Sequence, residues 1–194
     1  TPRGIYVTPD NAFLYVAGYE YGEIQKIDLN TGTKKVLYKS GGAMRHIAAD
    51  EDKGILYFSD MGRASILKLT LVTDVIEKFA TTDTHPNTIA LTPDKKVLIV
   101  SNRGKNFSAT DYYQPGPEWG SIQLFDTSDG KMLDAIIGGN QPTALDISPD
   151  GTKLIFSDFL DARLQVYELP SYEYLKSGNG GKSTTYKALL KKKK

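Results

Sequence analysis

Short apolar runs recur along this chain, and each run is bounded by a turn. Four of them begin at Ile5, Ile47, Ile89 and Leu145, which are 42, 42 and 56 residues apart, and each is followed nine residues later by a second run. In three of the four repeats a Pro-Asp pair separates the two runs, as at Pro9-Asp10. The fixed φ of proline and the local hydrogen bonds of aspartate end strands. The pattern therefore predicts two β-strands at the start of each repeat.

A period near 42 residues accommodates four short strands and four turns. In the first repeat the second pair of strands is predicted over residues 23–29 and 35–38, with the hairpin turn at Asn30-Thr31-Gly32. The fourth repeat is expected to end in the same way, with strands over residues 164–169 and 172–176. One such sheet cannot bury both of its faces, whereas radially stacked sheets bury them against each other.

The sequence thus predicts an all-β fold, a β-propeller with four antiparallel four-stranded blades. The predicted blades are residues 1–42, 43–84, 85–140 and 141–176, followed by a lysine-rich tail over residues 177–194. A flat solenoid is the alternative, but turns after every strand favour the propeller. The tail contains the only stretch with a helical pattern, residues 184–194.

Several segments resemble a known repeat. Leu98-Ile99-Val100-Ser101-Asn102 and Leu14-Tyr15-Val16-Ala17-Gly18, together with Asp28-Leu29-Asn30-Thr31-Gly32, are similar to the YVTN repeat of the lactonase-like and NHL-like seven-bladed propellers. The resemblance covers residues 1–176. It implies that these are the C-terminal four blades of a seven-bladed wheel whose remaining blades come from an upstream portion. A closed four-bladed wheel is the alternative. The superfamily contains lactonase-like enzymes and many surface or envelope proteins, which implies an extracytoplasmic location.

The phase of the repeat places two sets of polar residues at one end of the blades. One set precedes the anchors and includes Arg3, Arg45, His46, Asn87 and Thr143. The other set follows the second strand and includes Asp60, Asn102, Arg103 and Asp158. Such a mixed ring is typical of a ligand pocket. Oxygen atoms converging from several blades would suit Ca²⁺, and the resemblance to gluconolactonase-like propellers also implies a divalent metal. The alternative is that Asp60, Asn102 and Asp158 bond the backbone of the next loop.

All the extra length of the third repeat lies in residues 103–121. This loop has nineteen residues where the other blades have five, and it contains Tyr112, Tyr113 and Trp119. Long loops in compact domains are commonly functional, and exposed aromatic side chains favour contact surfaces. The loop is therefore predicted to contact a partner or ligand, or alternatively to pack on its own blade.

Charge and composition exclude several classes of function. The tail contains six lysines and no acidic residue, whereas the rest of the chain has 18 basic and 23 acidic residues. A mildly acidic body argues against nucleic-acid binding. The chain has no cysteine, which excludes thiolate catalysis. No apolar run approaches the roughly 20 residues of a membrane helix. The tail is expected to be solvated or to touch an acidic surface.

Two functions remain. The first is a non-catalytic binding or scaffold propeller that contacts a protein or glycan through the face carrying residues 103–121. The second is a metal-assisted lactonase-like hydrolase with its site at the channel mouth. The first is favoured because no catalytic constellation recurs among the repeats, and the two histidines, His46 and His85, do not share a phase.

Overall fold

The computed structural model describes residues 1–105, 113–178 and 186–191. The chain divides into two compact units, Thr1–Thr81 and Thr82–Lys194. The described residues form four antiparallel sheets and two short helices. The predicted all-β fold with four blades is confirmed.

The first unit contains two four-stranded sheets, with strands in the order β1-β2-β3-β4 and β5-β6-β7-β8. Their strands are β1 (Pro2–Val7), β2 (Phe13–Gly18), β3 (Glu23–Asp28), β4 (Lys34–Lys39), β5 (Met44–Asp50), β6 (Ile55–Asp60), β7 (Ser65–Thr70) and β8 (Val75–Thr81). Side chains from both sheets form one core, in which Tyr15, Ile24, Met44 and Phe58 are fully buried. Face-to-face burial thus explains the near-continuous apolar strands.

The second unit contains a four-stranded sheet, in the order β12-β11-β10-β9, and a three-stranded sheet, in the order β13-β14-β15. Their elements are β9 (Pro86–Leu91), β10 (Val97–Asn102), β11 (Gly120–Asp126), β12 (Met132–Gly139), β13 (Pro142–Ile147), β14 (Lys153–Asp158), β15 (Arg163–Glu168), α1 (Tyr172–Lys176) and α2 (Tyr186–Leu189). Ile99, Ile122, Leu154 and Phe156 are buried between the two sheets. Leu175 of α1 belongs to the same core.

The predicted fourth strand of the last blade, residues 172–176, is wrong. These residues form α1, because the hydroxyl of Ser171 accepts a hydrogen bond from the Tyr174 amide at 3.2 Å and caps the helix. Glu173 lies in the first turn and Lys176 in the last, where each charge suits the helix dipole. Of the described helices, none is long and apolar enough to cross a membrane.

A repeated side-chain turn separates the first two strands of three blades. The hydroxyls of Thr8, Thr92 and Ser148 donate to Asp10, Asp94 and Asp150 at 2.5, 2.7 and 2.6 Å. Each carboxylate also accepts a backbone amide two residues later. These bonds to the ionised form lower the pKa of Asp150 to about 2. These turns join the first and second strands, at one end of each blade. The loops between the second and third strands, which include residues 103–119, lie at the other end.

Candidate functional site

In the first unit, the inner strands bring together two arginines predicted from the repeat phase. β1 and β5 approach closely at Gly4, where a Cβ would lie 3.2 Å from the Arg45 carbonyl oxygen. The guanidinium carbons of Arg3 and Arg45 lie 5.0 and 5.6 Å from the centroid of the Tyr19 ring. Both distances are those of cation–π contacts. His46 follows on the same strand, and its amide donates to the Ser59 hydroxyl at 3.1 Å.

Asp60, the last residue of β6, is fully buried against the loop that precedes β5. One carboxylate oxygen, Oδ1, accepts the Ala43 amide at 2.9 Å. A Cβ on Gly42 would lie 2.2 Å from this oxygen, so the loop requires glycine there. The other oxygen, Oδ2, has no hydrogen-bond donor among the described residues. Asp60 therefore bonds loop backbone, as the alternative interpretation of this residue type supposed, but in the loop before β5 and not in the loop that follows Asp60.

Asp158 occupies the equivalent position in the fourth blade, where it is also fully buried. Its Oδ2 accepts Arg163 at 2.8 Å and Gln165 at 3.3 Å. Burial raises the pKa of this carboxyl although Arg163 opposes the effect. Gly139, at φ +82°, lies so close that a Cβ would be 2.0 Å from Oδ2. The remaining oxygen, Oδ1, receives no hydrogen bond from the described part of the chain.

Asn87 and Arg103 join loops within the second unit. The Asn87 amide donates to the Thr143 carbonyl at 3.1 Å, so the residues two positions before the anchors of blades three and four meet there. Arg103 is 3% exposed and donates to the Gln141 side chain. Its own amide donates to the His85 carbonyl at 3.0 Å. These contacts tie the start of the long loop to the crossing into the fourth blade.

A buried polar cluster includes side chains of β10 and β11. Asn102, which is fully buried, donates to the Gln123 side-chain oxygen at 3.0 Å, and the Asp83 amide donates to the same oxygen at 2.9 Å. The Ser121 hydroxyl donates to Asp83 Oδ2 at 2.7 Å. Tyr186 completes the cluster, because its hydroxyl donates to the same Oδ2 at 2.8 Å and accepts Gln123 Nε2 at 2.8 Å.

The tail is therefore not wholly solvated, contrary to the first of the two expectations for it. Tyr186 is only 2% exposed, and burial together with the Asp83 carboxylate raises the pKa of its hydroxyl. The lysine-rich composition of the tail gave no indication that Tyr186 contacts Asp83 and Gln123. The available signal was the aromatic residue itself, since Tyr186 is the only aromatic residue of the tail.

Part of the long loop presents aromatic surface. Tyr113 is 73% exposed and stacks on Phe159, which is 39% exposed, with ring centroids 6.2 Å apart. Trp119 is half-buried, and its amide donates to the Leu190 carbonyl at 2.7 Å. Tyr112 lies outside the described residues. Sequence reasoning missed Phe159, although it directly follows Asp158 at the end of a strand, as Arg103 follows Asn102.

The structure does not assemble the predicted calcium ligands into a group within the parts it describes. No cluster of three or more His, Asp or Glu side chains there is arranged to hold a metal ion. Asp60 belongs to the first unit, whereas Asn102 and Asp158 belong to the second. Each retains one buried oxygen without a hydrogen-bond donor among these residues. The calcium site remains a prediction.

Comparison with known proteins places this geometry in a family. The family model described as "Lactonase, 7-bladed beta-propeller" matches residues 5–176. Antigen Lp49 of Leptospira interrogans is 34% identical over 173 residues, which cover 86% of this chain and 38% of that protein. This chain therefore spans well under half the length of that curated relative.

Solved structures support the fold at low identity. The hydrazine synthase of Kuenenia stuttgartiensis matches with a TM-score of 0.69 at 19% identity, over 91% of this chain and 47% of that chain. A putative 6-phosphogluconolactonase from Bacteroides uniformis matches with a TM-score of 0.65 at 17% identity, over 86% and 50% of the two chains. The repeats, the four sheets and the family match together show that the chain belongs to the lactonase family of seven-bladed β-propellers.

Proposed function

We propose that this chain is part of a non-catalytic β-propeller that binds a protein or glycan through the face carrying residues 103–121. The observation that carries the proposal is the stacked pair of Tyr113, in that loop, and Phe159, which are 73% and 39% exposed. Exposed, rigid aromatic rings supply much of the binding energy in contact surfaces. A flat aromatic pair also suits the apolar face of a sugar ring.

The polar residues of the same face support a scaffolding role. Arg103 bonds Gln141, Asn87 bonds the Thr143 backbone, and Asp158 bonds Arg163. Each of these bonds joins one loop or strand of the second unit to another. They hold the base of the face rigid, and a rigid base reduces the entropy lost when the aromatic tip binds.

A glycan array and a panel of purified surface glycoproteins would test the proposal. Tyr113→Ala and Phe159→Ala are expected to weaken a detected interaction by at least about tenfold each, as for central aromatic contacts. Tyr174→Ala is the matched control, because Tyr174 is 49% exposed on α1, at the opposite end of the blades. Equal losses in all three variants would refute the assignment of the face.

A metal-assisted lactonase-like hydrolase is the second candidate. It is favoured by the family membership and by the donor-free buried oxygens of Asp60, Asn102 and Asp158. A divalent ion would polarise a lactone carbonyl and activate water. Stoichiometric metal in the purified protein, with lactone hydrolysis abolished by a chelator, would replace the binding proposal with this one.

We further propose that upstream blades complete the wheel and that the protein works outside the cytoplasm. Apolar side chains of β1 and β15 support the first point, since Ile5 is 67% and Leu164 is 75% exposed. Further blades would cover such faces. The name of the Leptospira relative, an antigen, is in keeping with the second point.

A further inference from the structure

The tail docks on the third blade through one tyrosine and a short stretch of backbone. The Tyr186 hydroxyl is held between Asp83 Oδ2 and Gln123 Nε2, each at 2.8 Å. Beyond α2, the Leu190 carbonyl accepts the Trp119 amide at 2.7 Å, and Lys191 forms an antiparallel bridge with Glu118. The tail is thus held by one buried side chain from a helical turn and, just beyond that turn, by a short backbone pairing.

The pocket is built in advance for a hydroxyl that both donates and accepts. Ser121 and Gln123 are 1% and 2% exposed, and Ser121 donates to the same Asp83 oxygen as the tyrosine. The Gln123 side-chain oxygen is occupied by the Asp83 amide and by Asn102, so its amide nitrogen must point towards the tyrosine. The donor and the acceptor that meet the phenol are therefore fixed by the blade and not by the tail.

Space remains beside the docked tail. A cavity of about 180 Å³ adjoins the pocket, and Asp83, Ser121 and Trp119 line it on the blade side. Lys187, Leu190 and Lys191 line it on the tail side. Acidic Asp83 and Glu118 thus face a basic segment, which gives the site a charge preference as well as a shape preference.

We propose that this site is a peptide-binding site that recognises a tyrosine followed by basic residues, and that residues 186–191 are its tethered occupant. A competing segment of the same chemistry, on another protein, binds where the tail now lies. The connection from Gly178 to Tyr186 is short, so the tail acts at a high effective concentration and blocks the site in the intact chain. The proposal is independent of the Tyr113 and Phe159 surface.

The test uses the full chain and a fluorescent peptide with the sequence of residues 183–194. Tyr186→Ala removes the tethered tyrosine, and it is expected to bind the peptide at least about tenfold more tightly than the wild type does. A peptide with phenylalanine in place of the tyrosine is expected to bind at least about tenfold more weakly, because Asp83 Oδ2 and Gln123 Nε2 each lose a hydrogen bond in a buried site. Asp83→Ala combined with Tyr186→Ala is expected to abolish binding.

Circular dichroism establishes that each variant is folded. If Tyr186→Ala does not fold, Tyr186→Phe keeps the ring and still loses both hydroxyl contacts, so the same peptide is measured on that variant. Equal binding by the wild type and the variant, no binding to a folded variant, or equal affinity of the tyrosine and phenylalanine peptides would each overturn the proposal. Loss of glycan or glycoprotein binding in Tyr113→Ala with normal peptide binding would leave it intact.

Discussion

Asp126 connects the end of β11 to α1, and its removal is expected to destabilise the second unit in a pH-dependent way. The carboxylate is 1% exposed. It accepts the Ser128 amide at 2.8 Å and the Tyr172 hydroxyl at 3.1 Å, and it pairs with Lys176. Burial alone would raise the pKa of Asp126, but Lys176 and the hydrogen bonds prevail and lower it to about 2.

The size of the effect follows from that difference. A pKa change of one corresponds to about 1.4 kcal/mol, so the fall from 3.8 to about 2 contributes about 2 kcal/mol to the free energy of unfolding. Since Lys176 is 46% exposed, solvent screening makes this an upper value. Because the folded pKa lies below the unfolded one, the contribution is complete above about pH 4. It is lost as the pH falls from about 4 to about 2.

Asp126→Asn is therefore expected to lower the free energy of unfolding by up to about 2 kcal/mol at pH 7 and by almost nothing near pH 2. Urea unfolding followed by circular dichroism at several pH values measures this difference. Asp52→Asn is the control, because it makes the same change of charge at an exposed turn residue of the first unit. A destabilisation by Asp126→Asn that is the same at pH 7 and pH 2.5 would refute the electrostatic argument.

Two further predictions concern packing. Gly139→Ala should lower the free energy of unfolding by about 3 kcal/mol, because a Cβ there meets the buried Asp158 carboxylate at 2.0 Å. Gly32 has a similar positive φ but nothing within 4 Å of its Cβ position, so Gly32→Ala should lower it by only about 1 kcal/mol. Equal shifts of the two variants in thermal unfolding would contradict the clash. Leu164→Glu with Val166→Glu should leave the stability of this chain almost unchanged but lower the melting temperature of a longer protein that contains the proposed upstream blades by several degrees. The same small effect in both proteins would argue against burial of that face.

The strands were predictable wherever the repeat is regular. β2, β6, β10 and β14 all lie at the second apolar run of their repeats, and β2, β10 and β14 each follow one of the side-chain turns. The repeat wrongly predicted a strand at residues 172–176. There the Ser171 cap and the burial of Leu175 in the core stabilise a helix, and neither follows from a period of 42 residues. Ser171, a residue type that favours a helix N-terminus, was the local feature that argued against a fourth strand there.

The candidate sites were predictable only in part. The phase of the repeat predicted that Arg3, Arg45, Asn87 and Thr143 lie at one end of the blades. The contacts of Arg3 and Arg45 with Tyr19 in the first unit, and the bond from Asn87 to Thr143 in the second, are in keeping with that prediction. It could not show that Tyr186 enters the third blade, because that contact joins residues 103 positions apart and outside the repeat. Long-range contacts of this kind depend on a pocket whose donors and acceptors are arranged by the fold.

The repeat and its exceptions carry different information about this protein. Asp60 and Asp158 occupy the same buried position in the second and fourth blades, and the glycine beside each of them shows how closely the neighbouring loop approaches. The features that occur once are the long loop, Phe159 and Tyr186, and these make the exposed aromatic pair and the tyrosine pocket. A blade needs its recurring residues in order to fold, so selection for binding can act freely only on the exceptions. The third and fourth blades, which carry these exceptions, are accordingly where both proposed binding activities should be sought.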